Sequence, residues 1–319
     1  MSKRIGKMGV RLPLWLTLLL TFALTVQACE AGGNDQKRKP KRKRKSVTVV
    51  KKVRYSEEKN LFFDFYAPKF RRTEKLPLVI FIHGGGWRSG NRKRGKKLCT
   101  RLARSGFAAV SIDYTLSPQA PFPAACKDVK TAIRYFRANA DKWGIDPERI
   151  GLIGNSAGAH LAAFAATNDD PRYEQGEDWP GVSSRVQAVV AQFGPYDYLA
   201  QKAGELVQTF LGGSPDQKPE VYREASPITH VSADDPPLLL IHGEKDRVVP
   251  IEHAERMYRA YQNAGAPVEF IRVKNAGHAL KKRGWFGKVQ PSRKEIEKRI
   301  LQFLQTYLWQ DNQVKDDPK

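Results

Sequence analysis

The chain has 319 residues, 41% of them hydrophobic, with 25 Gly and 20 Pro. That excludes collagen-like and wholly disordered classes and suffices for one large α/β domain or two small ones. Its 3 Cys include no CxxC pair, which excludes a disulfide-built scaffold and a cysteine zinc site. The net charge of +22 is concentrated in residues 1–45, 88–104 and 281–299, so the rest of the chain is close to neutral.

Lys3, Arg4, Lys7 and Arg11 precede an uncharged run from Leu12 to Ala28, and small residues follow. Basic n-region, apolar h-region and small-residue exit are what a secretory signal requires, so residues 1–28 are read as a signal peptide. An uncleaved membrane anchor is the second reading, although the run is short for a span of about 20 residues. Val26-Gln27-Ala28 fits a signal-peptidase site, and Cys29 directly after it resembles a lipoprotein box, with Gln27 as a departure. Lys37 to Lys45 (KRKPKRKRK) opposes translocation of what precedes it. Behind a signal, such a run is not expected to bind nucleic acid. Residues 29–46 are read as a basic, self-repelling linker that can rest on anionic lipid or wall polymer.

From Ser46 the pattern alternates. VTVVKKVRY (47–55) and NLFFDFYAP (60–68) are β-rich and read as an opening strand pair. PLVIFI (77–82) is wholly apolar, as a strand buried on both faces must be. A helix-like stretch leads to FAAVSIDY (107–114), a strand. In 124–140, Ala125, Val129, Ala132, Ile133 and Phe136 share one helical face. Asp146-Pro147 punctuates the chain before the strand RIGLIG (149–154), and a small-residue helix runs from Ala157 to Thr167. VQAVVAQF (186–193), PLLLIHG (237–243) and VEFIRV (268–273) supply further strands, with helices at Ile251 to Asn263 and Ser292 to Leu308. This order predicts an α/β fold, a mostly parallel central sheet with helices on both faces, over residues 47–309. Residues 310–319 form a polar tail, and the insertions 170–185 and 195–236 are placed to roof a site.

Gly154-Asn155-Ser156-Ala157-Gly158 is a G-x-S-x-G between strand and helix. A serine on so tight a turn takes strained dihedrals and exposes its hydroxyl at the helix N-terminus, and flanking side chains would collide. His83-Gly84-Gly85-Gly86-Trp87 directly follows a buried strand. Glycines there let backbone N–H groups face a cavity, as the oxyanion of an acyl-transfer intermediate demands. Gly85 and Gly86, with the Ala157 N–H, are the expected oxyanion hole, and Trp87 the expected substrate contact. Of 6 His, His278 lies in a Gly-containing loop five residues past the last strand and is the candidate base. His160 reads as packing, His83 and His242 as braces of turns, and His230 and His253 fall in an insertion and a helix. Asp246 follows strand 237–243 and is the candidate acid, with Asp197 as runner-up. The order Ser156, Asp246, His278 is that of α/β-hydrolases.

From about Val47 to Leu308 the chain resembles an α/β-hydrolase of the esterase/lipase group. HGGGW, SIDYTLSPQAPFPAACKDVKTAIRYFRANADKWGIDPERIGLIGNSAGAHLAA, SSRVQAVVAQFGP, ASPITHVSADDPPLLLIHGEKDRVVP and NAGHA resemble the BD-FAE family, named for a bifunctional acetylxylan and feruloyl esterase. The resemblance implies serine esterase chemistry on acetyl, short acyl or feruloyl esters, without cofactor or metal. Asn155 and Ala159 stand where Gly is common in that family. An amide or peptide-bond hydrolase on the same triad, and a catalytically silent carbohydrate- or wall-binding protein, are the alternatives. The basic segments 88–104 and 281–299 are expected on one side of the sheet, where they would attract an acidic substrate or form a plain solvated surface. Phe122, Trp179, Tyr196, Tyr198 and Trp285 are further aromatic candidates, and Cys99 and Cys126 can pair if the chain is exported.

Overall fold

Runs of apolar β-branched and aromatic residues set the strands. The computed structural model describes residues 46–70, 73–174, 178–200 and 204–309. Its strands are β1 (Val47–Ser56), β2 (Leu61–Pro68), β3 (Leu76–Ile82), β4 (Ala108–Ile112), β5 (Ile145–Asn155), β6 (Ala188–Gln192), β7 (Leu238–Gly243) and β8 (Val268–Val273). They form one sheet of order β1-β2-β4-β3-β5-β6-β7-β8. β1–β2 and β2–β4 pair antiparallel, and every later pair is parallel. β3 and β7 are buried along their whole length because helices cover both faces. β1 is mostly exposed, as an edge strand is. The register slips between Val50 and Val53, where Lys52 takes a positive φ and donates its N–H to Asp64. β5 starts earlier than expected and contains Asp146-Pro147.

The helices are α1 (Lys96–Arg104), α2 (Ala124–Ala138), α3 (Ala140–Trp143), α4 (Ala157–Thr167), α5 (Pro171–Glu174), α6 (Glu205–Leu211), α7 (Pro219–Glu224), α8 (Glu252–Ala264) and α9 (Arg293–Leu308). α9 begins at a capping box, Ser292 accepting from the Glu295 N–H while Glu295 accepts from the Ser292 N–H. Its Ile296, Ile300, Phe303, Leu304 and Leu308 then fall on one stripe and join Cys99, Leu102 and Ala103 of α1 over Val79 and Phe81. The opposite face of the sheet, with Leu78, Ile80 and Ile82, packs against α2, α4 and α8. α1 and α9 therefore share one side of the sheet, as expected, and Arg101 of α1 pairs with Glu297 of α9. Cys126 of α2 lies on the other side, and both it and Cys99 are free thiols. A disulfide between them is overturned by the sheet that separates them.

All described residues belong to a compact unit, Arg44–Lys319. The readings of residues 1–45, of Cys29 and of the tail 310–319 lie outside the described residues. Among the described residues no helix is long and apolar enough to cross a membrane.

Candidate active site

Parallel strands end at a common edge, and ligands meet such sheets beyond those carboxyl ends. Register brings the motifs together there. Ile82 of β3 pairs with Gly154 of β5, so the HGGGW turn and Ser156 leave the sheet side by side. Gly243 of β7 pairs with Val273 of β8, so the loops carrying Asp246 and His278 are neighbours too. The Ser156 hydroxyl donates to His278 Nε2 at 3.1 Å, and His278 Nδ1–H donates to Asp246 Oδ2 at 2.8 Å. Such a relay lets the imidazole accept the serine proton as the hydroxyl attacks a carbonyl.

Ser156 sits at φ 53° and ψ −121°, the strained conformation expected of the turn, and its carbonyl accepts from Ala159 and His160 at the start of α4. The flanking glycines are required by contact. A Cβ on Gly154 would stand 2.0 Å from the Gly158 carbonyl oxygen, and one on Gly158 would stand 2.1 Å from that of Ile82. Asn155 turns toward β6, where its Oδ1 accepts from Gln192. Ala159 is buried in the core.

Gly85 and Gly86 have φ of 138° and 60°. Their carbonyls accept from Ser89 and Arg88, and among the described residues no acceptor faces their own N–H groups. The Ala157 N–H opens a helix and has no intrahelical partner. A Cβ on Gly84 would meet the Asn155 carbonyl at 2.6 Å, so the glycine turn lies directly on the serine turn. The N–H groups of Gly85 and Gly86, just past Gly84, and of Ala157, just past Ser156, are thus the candidates for an oxyanion hole.

Asp246 is buried and fully engaged. Its Oδ1 accepts from the Val248 and Val249 amides, and Oδ2 accepts from His278. Desolvation alone would raise its pKa. Hydrogen bonds from His242, His278 and the two amides outweigh that and hold the carboxyl well below the usual carboxylate range. His242 is the weaker of the two ring partners, because its Nε2 stands 3.5 Å from Asp246 but 2.8 Å from the Val249 carbonyl. Asp197, the runner-up, is held instead by Arg256 at 3.0 Å.

The other histidines brace backbone. His83 donates to the Gly84 carbonyl and stacks on Tyr114, and His230 bonds the Glu224 carbonyl. His253 Nδ1 accepts from the Tyr196 and Asp197 amides. His160 accepts from Trp87 Nε1 and donates to the Ala225 carbonyl. Here one expectation is corrected. Trp87 is only 3% exposed, and its ring stacks on Phe210 of α6 with centroids 4.4 Å apart. It ties the insertion 195–236 down over the glycine turn and presents no face to a substrate. Phe122, Tyr196 and Tyr198 are buried as well, whereas Trp285 is 94% exposed. Described residues of the insertion 170–185, Glu174 and Gly181 to Arg185, wall a cavity of about 400 Å³ together with Lys130, and Ser156 is not among its lining residues.

Residues unnoticed in the sequence complete the site. Leu206 of α6 lies over Gly86, at 2.7 Å from where a Cβ would be. Phe193, after β6, sets its ring edge-on to His278 at 5.1 Å. Arg92 bonds both Asp64 and Asp113, anchoring the end of the glycine turn to β2 and β4. Only the Asp113-Tyr114 pair had a signal in the sequence, as a strand end. Among the described residues no group of three His, Cys, Asp or Glu is placed to hold a metal.

The buried histidines predict an acid-sensitive fold. Burial lowers the pKa of His160 and of His253 to about 4, so the folded chain stays unprotonated where the unfolded chain takes up protons, below about 6.5. Asp235 opposes them, since burial raises its pKa to about 6 and the folded chain keeps a proton there. His83, whose pKa burial also lowers, acts with these two histidines, and together they outweigh the one aspartate, so stability falls as pH falls from about 6 to 4. The urea midpoint is therefore expected to be lower near pH 4.5 than near pH 6.5, and an equal or higher midpoint would remove this linkage.

The BD-FAE family model matches residues 63–261. Esterase LipC of Mycobacterium tuberculosis is 37% identical over 240 residues, 72% of this chain and 59% of that protein. Esterase LipQ of the same organism is 35% identical over 230 residues, 69% of this chain and 54% of that protein. The chain thus spans little more than half the length of these curated relatives. A solved structure described as a truncated form of carbohydrate esterase from gut microbiota matches with TM-score 0.69 and 33% identity, over 83% of this chain and 97% of that one. The chain belongs to the BD-FAE family and has the α/β-hydrolase fold.

Proposed function

We propose that this protein is a serine esterase that hydrolyses carboxylic esters with short acyl groups, on a carbohydrate or another polyol, through an acyl-enzyme on Ser156. The observation that carries the reading is the unbroken relay from the Ser156 hydroxyl through His278 to the buried Asp246 carboxylate. In the first half-reaction His278 takes the serine proton while Oγ bonds to the ester carbon. The carbonyl oxygen becomes an oxyanion facing the Gly85, Gly86 and Ala157 N–H groups. Collapse breaks the bond to the alkoxy oxygen, which leaves as the alcohol with the proton from His278. A water then attacks the acyl carbon by the same route in reverse and frees the acid and the serine.

A short acyl group is favoured because Leu206 and Phe193 crowd the glycine turn and the His278 ring. A carbohydrate alcohol is favoured by the similarity to a gut-microbiota carbohydrate esterase. The chain is exported in this reading, residues 1–28 acting as signal or membrane tether and residues 29–46 as a basic linker. The order of basic, apolar and small residues supports that part.

The test is a panel of acetylated xylan, feruloylated xylan, nitrophenyl esters of rising chain length and matched acyl amides. Acetate release with turnover falling as the chain lengthens is the expected result. Preference for the amides would replace the reading with an amide hydrolase. Silence on every substrate, together with no labelling by a serine-reactive fluorophosphonate, would leave a silent binding protein.

A further inference from the structure

The loop that carries His278 continues into a tip that, among the described residues, makes no hydrogen bond to Ser156 or Asp246. Residues 274–290 leave the end of β8 and return to it. Lys274 and Gln290 bond each other's backbone in both directions, Arg283 N–H donates to the Asn275 carbonyl, and Gly277 N–H donates to that of Lys281. Asn275 also donates to the Lys288 carbonyl and accepts from Lys245. The base is thus pinned, and the tip is thrown outward. Gly284 and Gly287, at φ of 101° and 81°, bracket Trp285 and Phe286. Those two side chains are 94% and 90% exposed, the most exposed large hydrophobics among the described residues. Lys281, Lys282, Arg283 and Lys288 surround them, and among the described residues none of the four has an ion-pair partner. The neighbouring loop after β7 adds exposed Arg247 and Val248 against one exposed carboxylate, Glu244.

We propose that residues 281–288 form a docking tip for an anionic lipid surface, Trp285 and Phe286 entering the interface while Lys281, Lys282, Arg283 and Lys288 meet the phosphates. Two bulky aromatics on a pinned, solvent-facing tip are costly in water and favourable at a headgroup boundary, where Trp is at home. Positive charge beside them matches the surface potential of anionic lipid. A sugar chain is a poorer occupant, because rings so exposed have no walls around them to form a groove. A second copy is poorer still, because a two-fold contact would press four like charges on each tip together. Docking would set His278, three residues before Lys281, at the lipid surface.

The test uses the full chain carrying Cys29→Ser and Phe286→Cys, with a polarity-sensitive dye on the new thiol; Cys99 and Cys126 are buried and do not compete. The dye reads the tip itself, so binding through residues 1–45 does not mimic the result. With equimolar phosphatidylserine and phosphatidylcholine vesicles, a blue shift and quenching by an acyl-chain quencher are expected, and neither with phosphatidylcholine alone. Adding Lys281→Ala, Lys282→Ala and Arg283→Ala should raise the lipid needed by about a hundredfold, at about fivefold per basic residue. An unchanged melting temperature would show that this variant folds. A dye that stays water-exposed overturns the proposal, whether or not the chain sediments with the vesicles. A blue shift that follows protein concentration without lipid, or one produced by an acidic polysaccharide, overturns it in favour of that partner.

Discussion

Ser156→Ala is expected to lower kcat on a short-chain ester by about 10⁶-fold while leaving the melting temperature unchanged. The variant loses the one oxygen that can bond to the acyl carbon. His278 and Asp246 keep their own hydrogen bond, and the N–H groups of the glycine turn stay in place. Residual acceleration from those donors and from binding is worth about 10³- to 10⁴-fold over water. The fold has little to lose, because among the described residues the Ser156 hydroxyl bonds only His278 and the turn is held by backbone contacts to Gln192, Ala159 and His160. Initial rates beside fluorophosphonate labelling check it. Turnover within about tenfold of the parent would take the nucleophile's role away from Ser156.

Asp246→Asn is the second large effect, with an expected fall in kcat of about 10⁴-fold and little change in KM. The local hydrogen bonds dictate the mechanism of that loss. Val248 and Val249 both donate to Oδ1, so the asparagine must keep its carbonyl oxygen there and turn its NH₂ toward His278. An NH₂ facing Nδ1 requires that nitrogen to be bare. The proton then sits on Nε2, pointing at the serine it is meant to deprotonate. The two amides remain satisfied, which separates this effect from unfolding. Asp197→Asn is the comparison, since Asp197 bonds Arg256 and, among the described residues, makes no hydrogen bond to His278. If Asp197→Asn proved the more damaging of the two, the acid would have to be reassigned.

How much of this was legible depended on whether the information was local. LPLVIFI, LLLIHG and RIGLIG announce buried strands by themselves, because both faces of a central parallel strand must be apolar. Once the strands are placed, the residues just past their carboxyl ends are the candidates for chemistry. Ser156, Asp246 and His278 lie there, and the structure brings them together. Trp87 misled because its fate is decided by Phe210, on a short helix between Gly- and Pro-rich stretches that carries no clear periodic signal. Leu206 and the Arg92 clamp were hidden for the same reason, since each meets partners from distant parts of the chain. The basic stripe at 88–104 looked free in the sequence, yet Arg92, Arg94 and Arg101 are committed to Asp113, the Gly84 carbonyl and Glu297.

The separation of Cys99 from Cys126 has a use of its own. Each thiol is fully covered, and burial pushes both pKa values up, so neither is a nucleophile while its surroundings stay closed. One sits beneath α1 and α9, the other beneath α2 on the far side of the sheet. Alkylation of either therefore waits for the layer above it to lift. The molecule carries two independent clocks, and comparing their rates would tell whether its helical layers come away together or one before the other.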